Sequence, residues 1–122
     1  NLKIPHRSGG TLGDLEGVRL RYGDMRINVF ATRATLYRAA RLLESNNESV
    51  NEVTSAKVFC TETASSIIDS AVQLVGGRAL INGHPLEAMY RKIRSMRLAG
   101  GATDILRLSV SKGALEFYSG ML

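Results

Sequence analysis

The spacing of the apolar residues constrains the fold of this chain more than any other feature. Between residues 12 and 43 they recur every three or four positions, which is the period of one face of an α-helix. They are Leu12, Leu15, Val18, Leu20, Met25, Val29, Phe30, Ala34, Tyr37, Ala40, Leu42 and Leu43. This spacing predicts a long amphipathic helix over about residues 13–45, and a second run with the same period predicts another helix over about 50–75.

Polar residues at the junction of these two segments indicate where one helix stops and the next begins. Asn46 or Asn47 is expected to take a left-handed conformation that ends the first helix. Ser49 lies three residues before Glu52, a spacing that predicts a capping box at the start of the second helix.

Glycine pairs and a proline divide the rest of the chain. Gly76–Gly77 follows the second helical run and is expected to end it. Pro85 fits the first turn of a third helix over about 85–96, because its missing N–H would be unpaired there in any case. Gly100–Gly101 then separates this helix from a fourth, predicted over about 103–118.

Four helices with short connections predict an all-α, up-and-down four-helix bundle. The 122 residues suffice for one domain and are too few for two. We therefore expect an N-terminal loop over 1–11 and one helical domain over 12–122. The start at Asn1, without a methionine, suggests a fragment of a longer protein or a disordered leader.

Few residues in this sequence suit catalysis or metal binding on their own. His6 and His84 lack the neighbouring ligands or partners that a zinc site or a catalytic triad requires, so no metal site is predicted.

Cys60 is the single cysteine and is expected to pack as a small apolar residue of the second helix. One cysteine excludes an internal disulfide and favours a reducing, cytoplasmic location. No run of about 18 apolar residues is present to span a membrane.

A set of spaced motifs covers the second half of the chain. It comprises Gln73–Gly77, then Pro85, Glu87 and Arg91, then Gly100–Ile105. In order and spacing these motifs resemble the C-terminal domain of the acyl-CoA dehydrogenase family. That family typically reads Q-I-x-G-G-x-G, then P-x-E-x-x-x-R-D, then E-G-T-x-x-I, and the resemblance runs from residue 73 to residue 105 without a gap. Two earlier pairs, Asp24–Met25 and Ala56–Lys57, are similar to further family segments.

The resemblance implies a cofactor, a substrate and a set of binding residues. The cofactor would be FAD and the substrate an acyl-CoA thioester in a longer protein. Gln73, Gly76 and Gly77 would face the adenine-diphosphate part of a neighbouring subunit's FAD, and Asp104 would lie near the flavin end. Family members pack as dimers or tetramers, so a homo-oligomer or a related partner subunit is expected.

The same resemblance points to a missing catalytic group. The family usually carries its catalytic glutamate where this chain has Gly100, and no catalytic residue is predicted within the chain. A base elsewhere in the longer protein would keep the dehydrogenase activity, whereas its absence would leave a non-catalytic member or partner subunit.

Other polar residues of this region are expected to stabilise the fold. Arg91 is expected to tie helices together through an ion pair, and Thr103 or Asp104 to cap the fourth helix. A net charge of +5 would suit the phosphates of FAD and CoA. Because the charges are dispersed, a nucleic-acid-binding role is the least favoured alternative.

Overall fold

The computed structural model describes residues 2–7, 9–45 and 48–120. Within them lie four α-helices, which we number α1 Glu16–Glu44, α2 Val50–Val75, α3 Pro85–Met96 and α4 Thr103–Glu116. Short 3-10 turns occupy Leu12–Asp14 and Gly77–Leu80. No β-strand occurs in these ranges, where the one β-type pairing is an isolated bridge between Pro5 and Thr11. The predicted all-α fold of four helices is confirmed.

Helix α2 lies at the centre of the fold. Helices α1, α3 and α4 each pack on it, and in the described part of the chain no Cα of α1 comes within 8 Å of a Cα of α3 or α4. Residues 35–42 of α1 lie beside residues 51–59 of α2, and residues 21–28 lie beside residues 66–70. The first two helices are therefore antiparallel.

Helices α3 and α4 follow one another along the other side of α2. The Tyr90 hydroxyl of α3 donates a hydrogen bond to Oδ1 of Asp69 in α2, with an oxygen-to-oxygen distance of 3.2 Å. The Asn51 amide, near the start of α2, donates to the carbonyl oxygen of Val110 in α4 at 3.2 Å. As the chain advances from α3 to α4, its partners on α2 move toward the start of that helix. The two helices thus form one antiparallel partner of α2, interrupted at residues 97–102.

The tightly buried apolar core consists of small side chains. Ala39 of α1, Ala56 and Val58 of α2, and Ala79 after α2 are its members. Large apolar side chains remain exposed on α1, including Phe30 at 77%. A helix with apolar residues on its outer as well as its inner face is typical of one that is covered on several sides. None of the described helices is both long and apolar enough to cross a membrane.

The start of α2 differs from the prediction in its capping contacts. Ser49 holds the N-cap position and its carbonyl accepts from the Val53 N–H at 2.9 Å. Its side chain makes no capping hydrogen bond, and its ψ of 22° departs from the extended backbone typical of that position. The predicted capping box is therefore wrong. The predicted cap at Asn46 or Asn47 lies outside the described residues.

The starts of α3 and α4 use different groups from those expected. His84 is the N-cap of α3, and its Nδ1 accepts from the Leu86 N–H at 3.2 Å. Pro85 occupies the first turn, as predicted. In α4 the N-cap is Ala102, which has no side chain able to cap. Thr103 is instead the buried first residue of that helix, so the cap predicted at residue 103 or 104 is wrong.

Candidate functional site

The first glycine turn closes the C-terminal end of α2. Gln73 lies exposed in the last turn of the helix. Gly76 has a φ of +80°, in the left-handed region that favours glycine. Its N–H donates to the Val72 carbonyl at 2.8 Å, and its own carbonyl accepts from the Ala79 N–H at 2.9 Å. The chain thus turns sharply and buries Ala79 completely.

The fold alone does not explain why a glycine occupies position 77 in this turn. Its φ lies outside the left-handed region, and a Cβ added to it would meet no atom within 4 Å. A larger residue would therefore fit as far as this chain is concerned. The absent side chain leaves the exposed backbone open to the approach of another molecule, which is a common use of glycine.

The second glycine turn joins α3 to α4. Gly100 has a φ of +65° and Gly101 a φ of +101°, so both residues need the freedom of glycine. A Cβ at Gly100 would meet nothing within 4 Å, whereas one at Gly101 would lie 2.8 Å from Cδ2 of Leu106. Open space therefore lies beside the position where the sequence resemblance places a missing glutamate.

Helix α2 holds this second turn with a lysine. The Lys57 ammonium donates to the Gly101 carbonyl oxygen, with Nζ 2.5 Å from the oxygen. The ammonium is attached to a half-buried side chain between the buried residues Ala56 and Val58. Because one partner is charged, this is a stronger class of hydrogen bond than a neutral pair.

Glu62 forms the second connection between α2 and the turn. Its two carboxylate oxygens accept from both terminal nitrogens of Arg107, at 2.8 and 2.5 Å. Arg97, on the other side of the turn, lies 3.5 Å from Oε1. Hydrogen bonding from Arg107, aided by the Thr103 hydroxyl and both positive charges, lowers the pKa of Glu62 to about 2.

Asp104 is more exposed than Glu62 and Arg107, the two residues of this connection. Its side chain is 94% exposed, and its carboxylate lies 3.6 Å from a terminal nitrogen of Arg107. A carboxylate in the first turn of a helix is favoured by the helix dipole. The structure therefore leaves Asp104 accessible from solvent on the surface of α4.

The predicted binding residues form two separate surfaces. Glu62, beside the second turn, precedes Gly76 by 14 positions along α2, which is about 20 Å at about 1.5 Å per residue. Gln73, Gly76 and Gly77 lie together at one end of the helix, and Asp104 lies at the other turn. This chain does not bring the two groups into one pocket.

Arg91 does not tie helices together as predicted. It pairs with Glu87 at 2.7 Å, one turn away in the same helix, and its side chain is 83% exposed. Glu62 makes the connection between helices instead. Sequence reasoning missed Lys57 and Glu62 in this role, and their charges, within a stretch of α2 that also carries apolar positions, are the signal that could have indicated partners on another helix.

The remaining reactive side chains are the two histidines and the single cysteine. No group of three or more metal-binding side chains occurs in residues 2–7, 9–45 and 48–120. Cys60 is half-buried, and its thiol donates to the Thr32 carbonyl with a sulfur-to-oxygen distance of 3.6 Å. Burial raises the pKa of this thiol, which agrees with a packing role.

Comparison with known families gives one match that covers nearly the whole chain. The sequence model of the family described as acyl-CoA dehydrogenase, C-terminal domain, matches residues 2–115. Both glycine turns and the Lys57 and Glu62 contacts lie within that range.

Individual relatives give the same result. The chain is 28% identical over 113 residues to the short-chain specific acyl-CoA dehydrogenase, mitochondrial, of Rattus norvegicus. A structure of a putative acyl-CoA dehydrogenase from Mycobacterium abscessus is 33% identical and superposes with a TM-score of 0.86 over 97% of this chain. An FAD complex of PigA, at 22% identity and a TM-score of 0.82 over 91% of the chain, shares the fold.

These relatives are much longer than this chain. The alignment with the rat protein covers 93% of this chain and 27% of the relative. The corresponding share of the Mycobacterium abscessus and PigA chains is 29% each. The chain thus spans under a third of the length of these proteins.

Proposed function

The chain belongs to the acyl-CoA dehydrogenase family, and on this premise we propose that it is the FAD-contacting and subunit-packing domain of a flavoprotein that dehydrogenates acyl-CoA thioesters. The observation that carries the proposal is the family match over residues 2–115. In the same range, two glycine turns occupy the positions that the resemblance assigns to cofactor and substrate. Both leave open backbone at those positions.

The turn after α2 fits an FAD phosphate or adenine edge. The exposed Gln73 carries an amide that both donates and accepts hydrogen bonds. The fold of this chain does not require glycine at position 77, since a Cβ there would meet no atom within 4 Å. The backbone at Gly77 is therefore accessible, and backbone N–H groups at such turns bind anions. Bound FAD would supply the acceptor for a hydride, while these residues of the chain would hold its adenine-diphosphate part.

The second turn, at Gly100–Gly101, shapes the backbone near the proposed substrate site but does not carry a catalytic base. A base for α-proton removal needs a desolvated carboxylate whose pKa is raised. Gly100 has no side chain, and Asp104 is 94% exposed beside Arg107, so neither residue provides a desolvated carboxylate. The dehydrogenase therefore needs a carboxylate from the rest of the protein, and without one it would be a non-catalytic partner subunit.

The exposed apolar side chains of α1 support association with other protein surfaces. Leu20, Ile27 and Phe30 are each more than half exposed and their spacing places them on one face of α1, and contiguous apolar surface of this kind marks interaction sites. We expect a homo-oligomer, dimer or tetramer, or a pairing with a related subunit. We also propose a cytoplasmic location, although the name of the rat relative assigns that protein to mitochondria.

A flavin spectrum of the full-length protein tests this proposal. We expect bound FAD, and we expect Gly77→Ala to lower FAD affinity about tenfold, because a methyl group obstructs a close backbone contact. Gly23→Ala, on α1, is the matched control and should leave FAD affinity unchanged. A protein that binds no FAD would contradict the proposal, and equal affinities of the Gly77→Ala variant and the wild type would contradict the assigned contact.

Anaerobic addition of acyl-CoA to the same protein separates the two functional alternatives. Bleaching of the flavin band would show that the full-length protein has a base outside this chain. If the band persists, Gly100→Glu should introduce slow bleaching, since a Cβ there would meet no atom within 4 Å, while Gly100→Gln should not; the φ of +65° strains the backbone equally in both variants. Persistent colour in both variants would favour the non-catalytic partner.

A further inference from the structure

We propose that Lys57 is the positioning residue that fixes the turn between α3 and α4. The turn carries Gly100 and Gly101, whose left-handed backbones have no side chains with which to anchor themselves. Lys57 reaches this turn from α2 and donates to the Gly101 carbonyl at 2.5 Å. The anchor of the turn is therefore a side chain 44 residues earlier in the sequence.

The surroundings of Lys57 show why its length and its charge both matter. The Lys57 side chain is half-buried, so part of its aliphatic stem is shielded from water while its ammonium reaches the Gly101 carbonyl. A shorter side chain does not span this distance. An apolar side chain of equal length leaves the Gly101 carbonyl without its partner from α2.

Glu62 contacts residues on both sides of the same turn. It binds Arg107 after the turn and approaches Arg97 before it. These contacts fix the helices that flank the turn, whereas Lys57 contacts the turn's own backbone. The two residues therefore have different effects: loss of Glu62 weakens the packing of helices, and loss of Lys57 loosens the glycine backbone.

The position of the Gly100–Gly101 backbone affects the dehydrogenation of the thioester, and this consequence rests on the proposed function. Gly100 lies where the family resemblance places the group that faces the thioester. A shift of the turn would change the shape of that part of the site without removing any residue that touches the substrate. Lys57 acts through Gly101 and is not itself a catalytic residue.

Hydrogen exchange measured by NMR tests the proposal without any flavin. The Thr103 N–H donates to the Arg97 carbonyl across the turn at 3.1 Å and reports whether the turn is closed. In the full-length protein, Lys57→Met should speed its exchange about tenfold. Lys57→Arg should restore slow exchange, because it keeps a charged donor. Lys92→Met, on the exposed surface of α3, is the control and should match the wild type.

A second readout separates positioning from general stability. The Val53 N–H, bonded to the Ser49 carbonyl at 2.9 Å, should exchange at the wild-type rate in Lys57→Met. In protein that binds FAD, the same variant should keep its FAD content while its rate of flavin bleaching by acyl-CoA falls about tenfold. Lys57→Gln provides the same comparison if Lys57→Met does not fold.

Three results would overturn the inference. They are unchanged exchange at Thr103 in Lys57→Met and Lys57→Gln, equal acceleration at Thr103 and Val53, and no rescue by Lys57→Arg. Because exchange is measured without the cofactor, a protein that binds no FAD would refute the proposed function and leave this test of Lys57 intact.

Discussion

Replacing Glu62 with glutamine removes the negative charge that joins α2 to both sides of the α3–α4 turn. The pKa of Glu62 is about 2 instead of the ordinary 4.5, chiefly because Arg107 donates hydrogen bonds to it. At about 1.4 kcal/mol for each tenfold change in proton affinity, this difference sets an upper limit of about 3.5 kcal/mol. The Glu62 side chain is 28% exposed and Arg107 is 51% exposed. Since solvent screens such a pair, we expect Glu62→Gln to lower the free energy of unfolding by about 1–2 kcal/mol at pH 7.

The effect of this substitution should depend on pH in a defined direction. A carboxylate whose pKa is lowered by folding contributes its full stabilisation above the unfolded pKa, here 4.5. The contribution is lost as the pH falls from 4.5 toward 2, because in this range the unfolded chain binds a proton at Glu62 while the folded protein does not. The difference between wild type and Glu62→Gln should therefore fall below half of its pH 7 value by about pH 3.

Urea unfolding followed by circular dichroism measures this difference directly. Wild type and Glu62→Gln are compared at pH 7, 5, 4 and 3. Glu116→Gln, at an exposed ion pair with Lys112 of 3.9 Å, is the matched control. It should change stability by less than about 0.5 kcal/mol at every pH. Equal stabilities of Glu62→Gln and wild type at pH 7, or a difference that stays constant down to pH 3, would refute the reasoning.

Substitutions at Gly101, Asn51 and His84, with comparison variants, test local features of the fold by thermal unfolding. Gly101→Ala should cost about 1–3 kcal/mol because its φ is +101° and its Cβ would meet Leu106, whereas Gly23→Ala, in open helical space, should stabilise by about 0.5–1 kcal/mol. Equal effects of the two would contradict the assigned strain. Asn51→Ala should cost about 1–2 kcal/mol, since it removes donors to two carbonyls of the C-terminal segment; an unchanged melting temperature would argue against these bonds. His84→Ala should cost about 1 kcal/mol and His84→Asn much less, because asparagine also caps helices, and equal losses would count against capping by His84.

Local sequence features predicted the helices well because their causes lie within a few residues. The period of the apolar side chains led to helices near 13–45 and 103–118, against observed ranges of 16–44 and 103–116. The predicted bounds 50–75 and 85–96 match α2 and α3. The deviations occur at ends, where a 3-10 turn precedes α1 and Tyr118 takes a φ of +50° after α4.

Capping and ion pairing were predicted less well because several residues compete for each position. Ser49 occupies the expected N-cap, yet its backbone does not direct the hydroxyl toward the helix. Arg91 has Glu87 one turn away, and this local partner is used in place of a neighbouring helix. His84, expected to have no role, supplies the cap of α3.

The sequence by itself determined the number of helices, their order, the two glycine turns and the family. These features depend on the periodicity of apolar side chains and on short motifs. They can therefore be predicted without knowing the path of the chain. The assignment of Gln73, Gly76, Gly77 and Asp104 to FAD stays a prediction from that resemblance.

Only the tertiary structure decided which distant residues meet. It showed that α3 and α4 both run along α2, that the two glycine turns lie on separate surfaces, and that Lys57 and Glu62 hold the second turn. Lys57 and Gly101 are 44 residues apart, and their contact depends on how three helices pack. No local pattern specifies such a contact, because its geometry is set by the crossing and rotation of whole helices.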